Sequence, residues 1–168
     1  ILYPWMQFSD CPDWQTVGRA VAEAWPSDVQ GDGEKKLVEE IKAGSAELLG
    51  QVNHAIKLIQ DGFRYLSVNV ELGGHIPAEP ETVIRRRYGD CKDLAFLLSR
   101  LLRGIGVSAR PILVHSRLKK FISGLLPSLC FDHVVVEFQI GDSKRWIDST
   151  MKFQGGGTLG DGGQYGFY

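Results

Sequence analysis

No stretch of this chain stays apolar for long enough to cross a bilayer as a helix, so direct membrane insertion by this segment is not expected. Charge of one sign is equally lacking. The 19 Lys and Arg meet 20 Asp and Glu, a formal net charge of −1, so no basic excess exists to hold a nucleic acid. The one basic cluster, Arg85–Arg86–Arg87, reads as a solvated face before it reads as a carboxylate-binding one. Cysteine is scarce: Cys11, Cys91 and Cys130 are three, and three cannot all pair within one chain. Internal repeats are absent, and low complexity is confined to the glycine-rich end "GGGTLGDGGQYGFY". His54, His75, His115 and His133 are not spaced with cysteines and acids as metal ligands are, so no catalytic metal and no cofactor is expected. The opening "ILYPWMQFSD" has neither a starting Met nor a signal-like stretch, and the expectation is a segment cut from a longer chain.

What remains is ordinary material for a folded domain. Residues 1–168 are enough for a single domain with a real core, and 43% hydrophobic with 23% charged residues is the usual soluble balance. "PDWQTVGRAVAEAW" places Trp14, Val17, Val21 and Trp25 on one helical face, with Pro26 after the end. Leu37, Val38 and Ile41 form the apolar face of a second helix. Gly44 and Ser45 read as a break and a new cap, and Leu48, Leu49, Val52, Ile56 and Ile59 as a third helical stripe. "RYLSVNVEL" (residues 64–72) alternates as a short strand, "GGHIPAEP" is a loop, and "ETVIRRR" a short helix.

The strongest signal starts at Cys91. Leu94, Leu97, Leu98, Leu101, Leu102 and Ile105 make a wide apolar stripe that ends at Gly104 and Gly106. Asp90 is placed to cap this helix, and Asp93, three residues on, supplies an acidic variant of the capping box. The rest reads as strands: "RPILVHS", "HVVVEFQI" and "KRWIDST", the last two joined by a turn around "IGDS". Helices followed by an antiparallel sheet define an α+β class.

A thiol flanked by Gly89, Asp90, Lys92 and Asp93 is not in the company of a core cysteine. The first turn of a helix offers free N–H groups and the positive end of the dipole, both of which favour a thiolate, although Asp90 and Asp93 partly oppose this. Such a nucleophile still needs an imidazole. His133 opens one strand and Asp148 lies near the end of the next. Two hairpin registers are open. One, with its turn between Ile140 and Gly141, sets Asp148 opposite His133. The other, with its turn at Asp142–Ser143, sets Asp148 opposite Glu137. Both keep His133 and Asp148 on one face of the sheet. Asp148 also reads as a strand-end carboxylate bonded to Thr150.

"RYGDCKDLAFLLSRLLRGIGVSARPILV", then "FDHVVVEF", then "RWIDST", resembles the core of the transglutaminase-like superfamily. More narrowly it is similar to bacterial transglutaminase-like domains that often follow a β-rich domain in exported proteins. "FRYLSVNVELGGHIPAEPETVIRRRYGDC" and "FSDCPDWQTVGRAVAEAWP" extend the likeness over nearly the whole chain. The resemblance implies a papain-like fold with N-terminal helices packed on an antiparallel sheet. It also implies a Cys–His–Asp triad acting through a thioester on amide or ester carbonyls of a peptide or protein substrate. Carried across, Cys91 is the nucleophile, His133 the general base and acid, and Asp148 the orienting carboxylate. The Cys91 N–H would help hold the oxyanion, with Tyr65 as the candidate side-chain donor, Tyr88 as a nearer alternative in sequence, and Trp146 packed beside the site. Hydrolysis and transamidation both remain open, as does oligomeric state. By resemblance alone the compartment is periplasmic or otherwise exported. The second reading is a non-enzymatic binding or scaffold module of a larger envelope-associated protein.

Overall fold

The first helix is held by its own cap. Asp13 is extended, and its carboxylate accepts a bond from Thr16 N at 2.7 Å, starting α1 (Trp14–Ala24), which buries Val17 and Val21. The computed structural model describes residues 5–27, 29–67 and 74–152. Two more helices follow, α2 (Asp32–Ala43) and α3 (Leu48–Gly62), separated at Gly44–Ser45 as expected. The α3 stripe is narrower than its sequence implies. Val52, Ile56 and Ile59 are buried, but Leu48 and Leu49, in the first turn, stay 43% and 49% exposed.

The extended segment after α3 pairs only over β1 (Arg64–Tyr65); the remainder of the expected strand, from residue 68 to residue 72, lies outside the described residues. β1 runs parallel to a two-residue strand that the sequence did not announce, β2 (Tyr88–Gly89), with Arg64 N on Arg87 O and Leu66 N on Gly89 O, both 2.9 Å. Between them lies α4 (Pro80–Arg86), with its proline at the first helical position.

The central element is α5 (Cys91–Gly104). Its stripe of leucines is wholly buried, and so are Ala95, Phe96, Ser99 and Arg100 on its other faces. A helix buried nearly all round needs partners on every side. Here α2, α3 and α4 cover one side and the sheet covers another. That sheet is antiparallel, in the order β3 (Ala109–Val114), β4 (His133–Ile140), β5 (Ser143–Ile147). Val134, Val136, Phe138 and Ile147 join the leucines of α5 in one core. Each Leu so buried contributes about 2 kcal/mol. A 3-10 turn at Lys119–Gly124, which sequence periodicity missed, fills part of the β3–β4 connection.

The hairpin register falls between the two expected. Ile140 pairs with Ser143 and Val136 with Ile147, leaving a two-residue turn, Gly141–Asp142. Gly141 takes φ +56°, the positive value that tight hairpin turns demand of their first residue. Asp148 is therefore one residue past the end of β5. Continuing the ladder would place it opposite Val135, on the face shared with His133. No described helix is long and apolar enough to cross a membrane.

Candidate active site

The first turn of α5 is built by a cluster of bonds around Asp93. Asp90 N-caps the helix and accepts from Asp93 N at 3.2 Å, and Asp93 returns the bond to Asp90 N at 3.2 Å, so the acidic capping box forms as the sequence implied. Asp93 also accepts from Ala78 N at 2.8 Å and pairs with Arg86, while Asp90 pairs with Lys92. The carboxylates that oppose a thiolate at Cys91 are thus partly neutralised by their own cations. Gly89 is required here, because a Cβ at that position would sit 2.7 Å from the Asp93 Cβ. The triple arginine divides its work. Arg86 bonds Asp93 and the Tyr88 carbonyl, Arg87 ends α4 at φ +57° with its guanidinium over Phe63, and Arg85 stays near Thr82 on the surface.

Cys91 is partly exposed and carries a free thiol, as do Cys11 and Cys130. His133, at the first position of β4, is hydrogen-bonded to both Cys91 and Asp148. The Nε2–Oδ2 separation to Asp148 is 2.7 Å, which leaves Nδ1 as the ring nitrogen for the sulfur. Burial disfavours the charged ring, but the hydrogen bonds and negative charges of Asp148 and Cys91 outweigh it and push the His133 pKa up to about 10. Asp148 is held in turn. Its Oδ1 accepts from Thr150 N at 2.8 Å and Thr150 Oγ1 at 2.7 Å, and its backbone carbonyl accepts from Gln60 Nε2 at 2.8 Å. The bond to Thr150 and the bond to His133 coexist on separate carboxylate oxygens.

Tyr65 is 37% exposed and paired in β1 with Gly89. Burial raises its pKa, its bond to Ser67 opposes that, and the charges of Cys91, Asp90 and Asp148 raise it further, which keeps the phenol protonated. Tyr88 is taken elsewhere: the Arg86 guanidinium lies 4.8 Å from its ring centroid. Trp146, opposite Glu137 on β5, lines the wall of a cleft rather than the main core. Among the described residues no three His, Cys, Asp or Glu side chains group to hold a metal ion.

Gln60 escaped the sequence reading. It was nonetheless detectable, because it falls at the i+4 position after Ile56 and i+8 after Val52, a polar residue on an apolar stripe.

This pairing of a cysteine at a buried helix's start with a histidine at the start of a central strand is the arrangement of papain-like cysteine enzymes. The chain belongs to the Transglutaminase-like superfamily, whose family profile matches residues 35–150. No curated protein sequence matches it. Among solved structures, it is similar to a protein from Parabacteroides distasonis described as a candidate protease, with a TM-score of 0.65 and 15% identity over 82% of this chain and 26% of that one. It is also similar to one from Cytophaga hutchinsonii described as a candidate cysteine protease, with a TM-score of 0.52 and 20% identity over 79% of this chain and 42% of that one. The chain thus spans less than half of either neighbour. These likenesses establish the α+β, papain-like fold, and the family supports a cysteine-dependent enzyme.

Proposed function

We propose that the protein is a cysteine acyl-transfer enzyme acting on amide bonds of a peptide or protein. The observation that carries this reading is His133, bonded to Cys91 on one side and at 2.7 Å from Asp148 on the other. In the first step the thiol proton passes to His133, and the charged ring is stabilised by Asp148. Sulfur then bonds to the substrate carbonyl carbon as the C=O electron pair moves onto oxygen. The oxyanion takes bonds from Cys91 N–H, free at the helix start, and from the Tyr65 hydroxyl. Collapse of the adduct restores C=O and breaks the C–N bond, and the leaving amine takes the proton from His133. The thioester is released to water, giving an acid, or to an amine, giving a new amide. In either case His133 accepts the incoming nucleophile's proton and returns it to sulfur.

Iodoacetamide tests the reading. Cys91 should be alkylated several-fold faster at pH 6 than either Cys11 or Cys130, followed by peptide mass spectrometry. His133→Ala should abolish that advantage. Equal rates for all three thiols in the parent protein would reject an activated nucleophile. Full complementation of the parent gene's loss by Cys91→Ala would instead favour a scaffold.

A further inference from the structure

Among the described residues, the outer strand of the sheet has no partner strand on its far side. There β3 pairs with β4 alone, and the bond from Gln139 N to Ser108 O at 2.9 Å fixes which of its groups face inward. Ladder bonds alternate along an antiparallel pair, so residues 108, 110, 112 and 114 bond β4 while Ala109, Pro111 and Leu113 turn their backbone groups outward. Pro111 fits this phase: its missing N–H breaks no ladder bond, as only an edge strand permits. The Leu113 N–H and C=O and the Pro111 C=O are therefore directed toward the edge.

Two clefts, of about 840 Å³ and 540 Å³, meet along this edge and share Ile112, Ile122 and Phe131 in their walls. The floor is apolar and the flank is cationic. Arg103, Arg110, Lys119 and Lys120 line it against one carboxylate, Glu137, which Arg110 already holds at 2.9 Å. Lys119 takes φ +51°, an unusual value for a lysine, in the turn that carries both lysines to the cleft. At its far end β3 reaches Val114, directly opposite His133.

We propose that β3 is a docking edge for an extended segment of alternating apolar and acidic residues in the peptide substrate, which adds to the sheet as a further strand. Its backbone would bond Leu113 and Pro111, its apolar side chains would enter the cleft, and its carboxylates would face Lys119 and Lys120. Strands lie about 4.8 Å apart, so the docked backbone is roughly 10 Å from β4, a gap that about three extended residues span. A segment leaving the edge at Val114 can therefore present its next peptide bonds to His133 and Cys91. The identification of this segment as substrate rests on the function proposed above; the docking itself does not.

The Cys91→Ala protein, which binds without turnover, is the material for the test. The probe is a fluorescein-labelled, end-blocked peptide of about eight alternating Val and Glu residues, with a Val/Lys peptide as control. Binding is read by anisotropy, and its location by amide resonances. The Val/Glu peptide should shift the amide of Leu113 and its neighbours and bind at least about tenfold tighter than the Val/Lys peptide. Lys119→Glu with Lys120→Glu, surface changes that leave the core alone, should weaken the Val/Glu peptide by about tenfold. Leu113→Pro, which removes an outward N–H without touching the ladder to β4, should weaken both peptides. Unmoved resonances over residues 109–114, or equal affinity for the two peptides, would overturn the proposal. So would a concentration-dependent dimer in sedimentation that Leu113→Pro dissolves, since the edge would then belong to a second copy. Peptide binding at β3 alongside an unreactive Cys91 in the parent protein would reject the enzyme and keep the docking edge.

Discussion

The start and the middle of α5 handle charge in opposite ways. At the start, Arg86, Asp90, Lys92 and Asp93 form a local, partly buried network, with partners two to seven residues apart, next to the partly exposed Cys91. In the middle, Arg100 and Glu34 are 2% and 1% exposed and meet across 66 residues of sequence, at 2.5 and 2.9 Å. Arg100 also holds the carbonyls of Ser27 and Val29 at 2.8 Å, so one side chain fastens α5 to α2 and to the chain between α1 and α2. A buried pair of this kind is costly to desolvate and costly to break, and its best use is to fix one arrangement. The local network instead shapes a first turn that leaves Cys91 partly exposed. The middle of the helix sets where α5 lies; its start sets what Cys91 can meet.

That division predicts separable effects. The largest is on rate. Asp148→Asn should lower turnover of a p-nitrophenyl ester roughly a thousandfold, because His133 loses both its orientation and its counter-charge. An ester rate within tenfold of the parent would remove Asp148 from the chemistry. Next in size, Glu34→Gln should destabilise by about 3–5 kcal/mol in urea, since Arg100 is left buried without its carboxylate. The ester rate per folded molecule should be unchanged, and a matching fall in rate would erase the distinction between the two parts of α5. Smallest is Arg86→Gln. Arg86 is partly exposed and Asp93 keeps its bonds from Ala78 and Asp90, so the cost is about 1 kcal/mol. Alkylation of Cys91 should slow a few-fold as the capping turn loosens. A stability loss as large as that of Glu34→Gln would show that the local network also carries the fold.

The sequence displayed whatever is local. The α5 stripe, its capping box, the start of β4 at His133 and the break at Gly44–Ser45 all follow from periodicity or cap chemistry within a few residues. Long-range matters were less legible. The Arg100–Glu34 pair has no local signature, because an arginine within a leucine-rich helix reads as solvated until the fold encloses it. β2 is two residues long and exists only because β1 arrives beside it. The hairpin was misplaced by one position because polar "GDS" permits several turns, and the choice belongs to the glycine that tolerates positive φ. For the site, spacing placed His133 and Asp148 on a common face, and the resemblance to a family supplied their roles. Neither revealed that Gln60 holds Asp148 from α3.

The proposed chemistry needs a charged pair between Cys91 and His133, and titrating the His133 ring by NMR measures it most directly. Against its burial, the folded pKa of His133 lies above the ordinary 6.5, raised first by its bond to Asp148 and then by Cys91, so the stability contributed by charging the ring is full below that value and is lost as pH rises toward about 10. The ring signals should stay in the imidazolium position through neutral pH and move only toward pH 10, and Cys91→Ala should bring the transition down. A transition near 6.5 that is indifferent to Cys91→Ala would contradict the pair and the mechanism built on it.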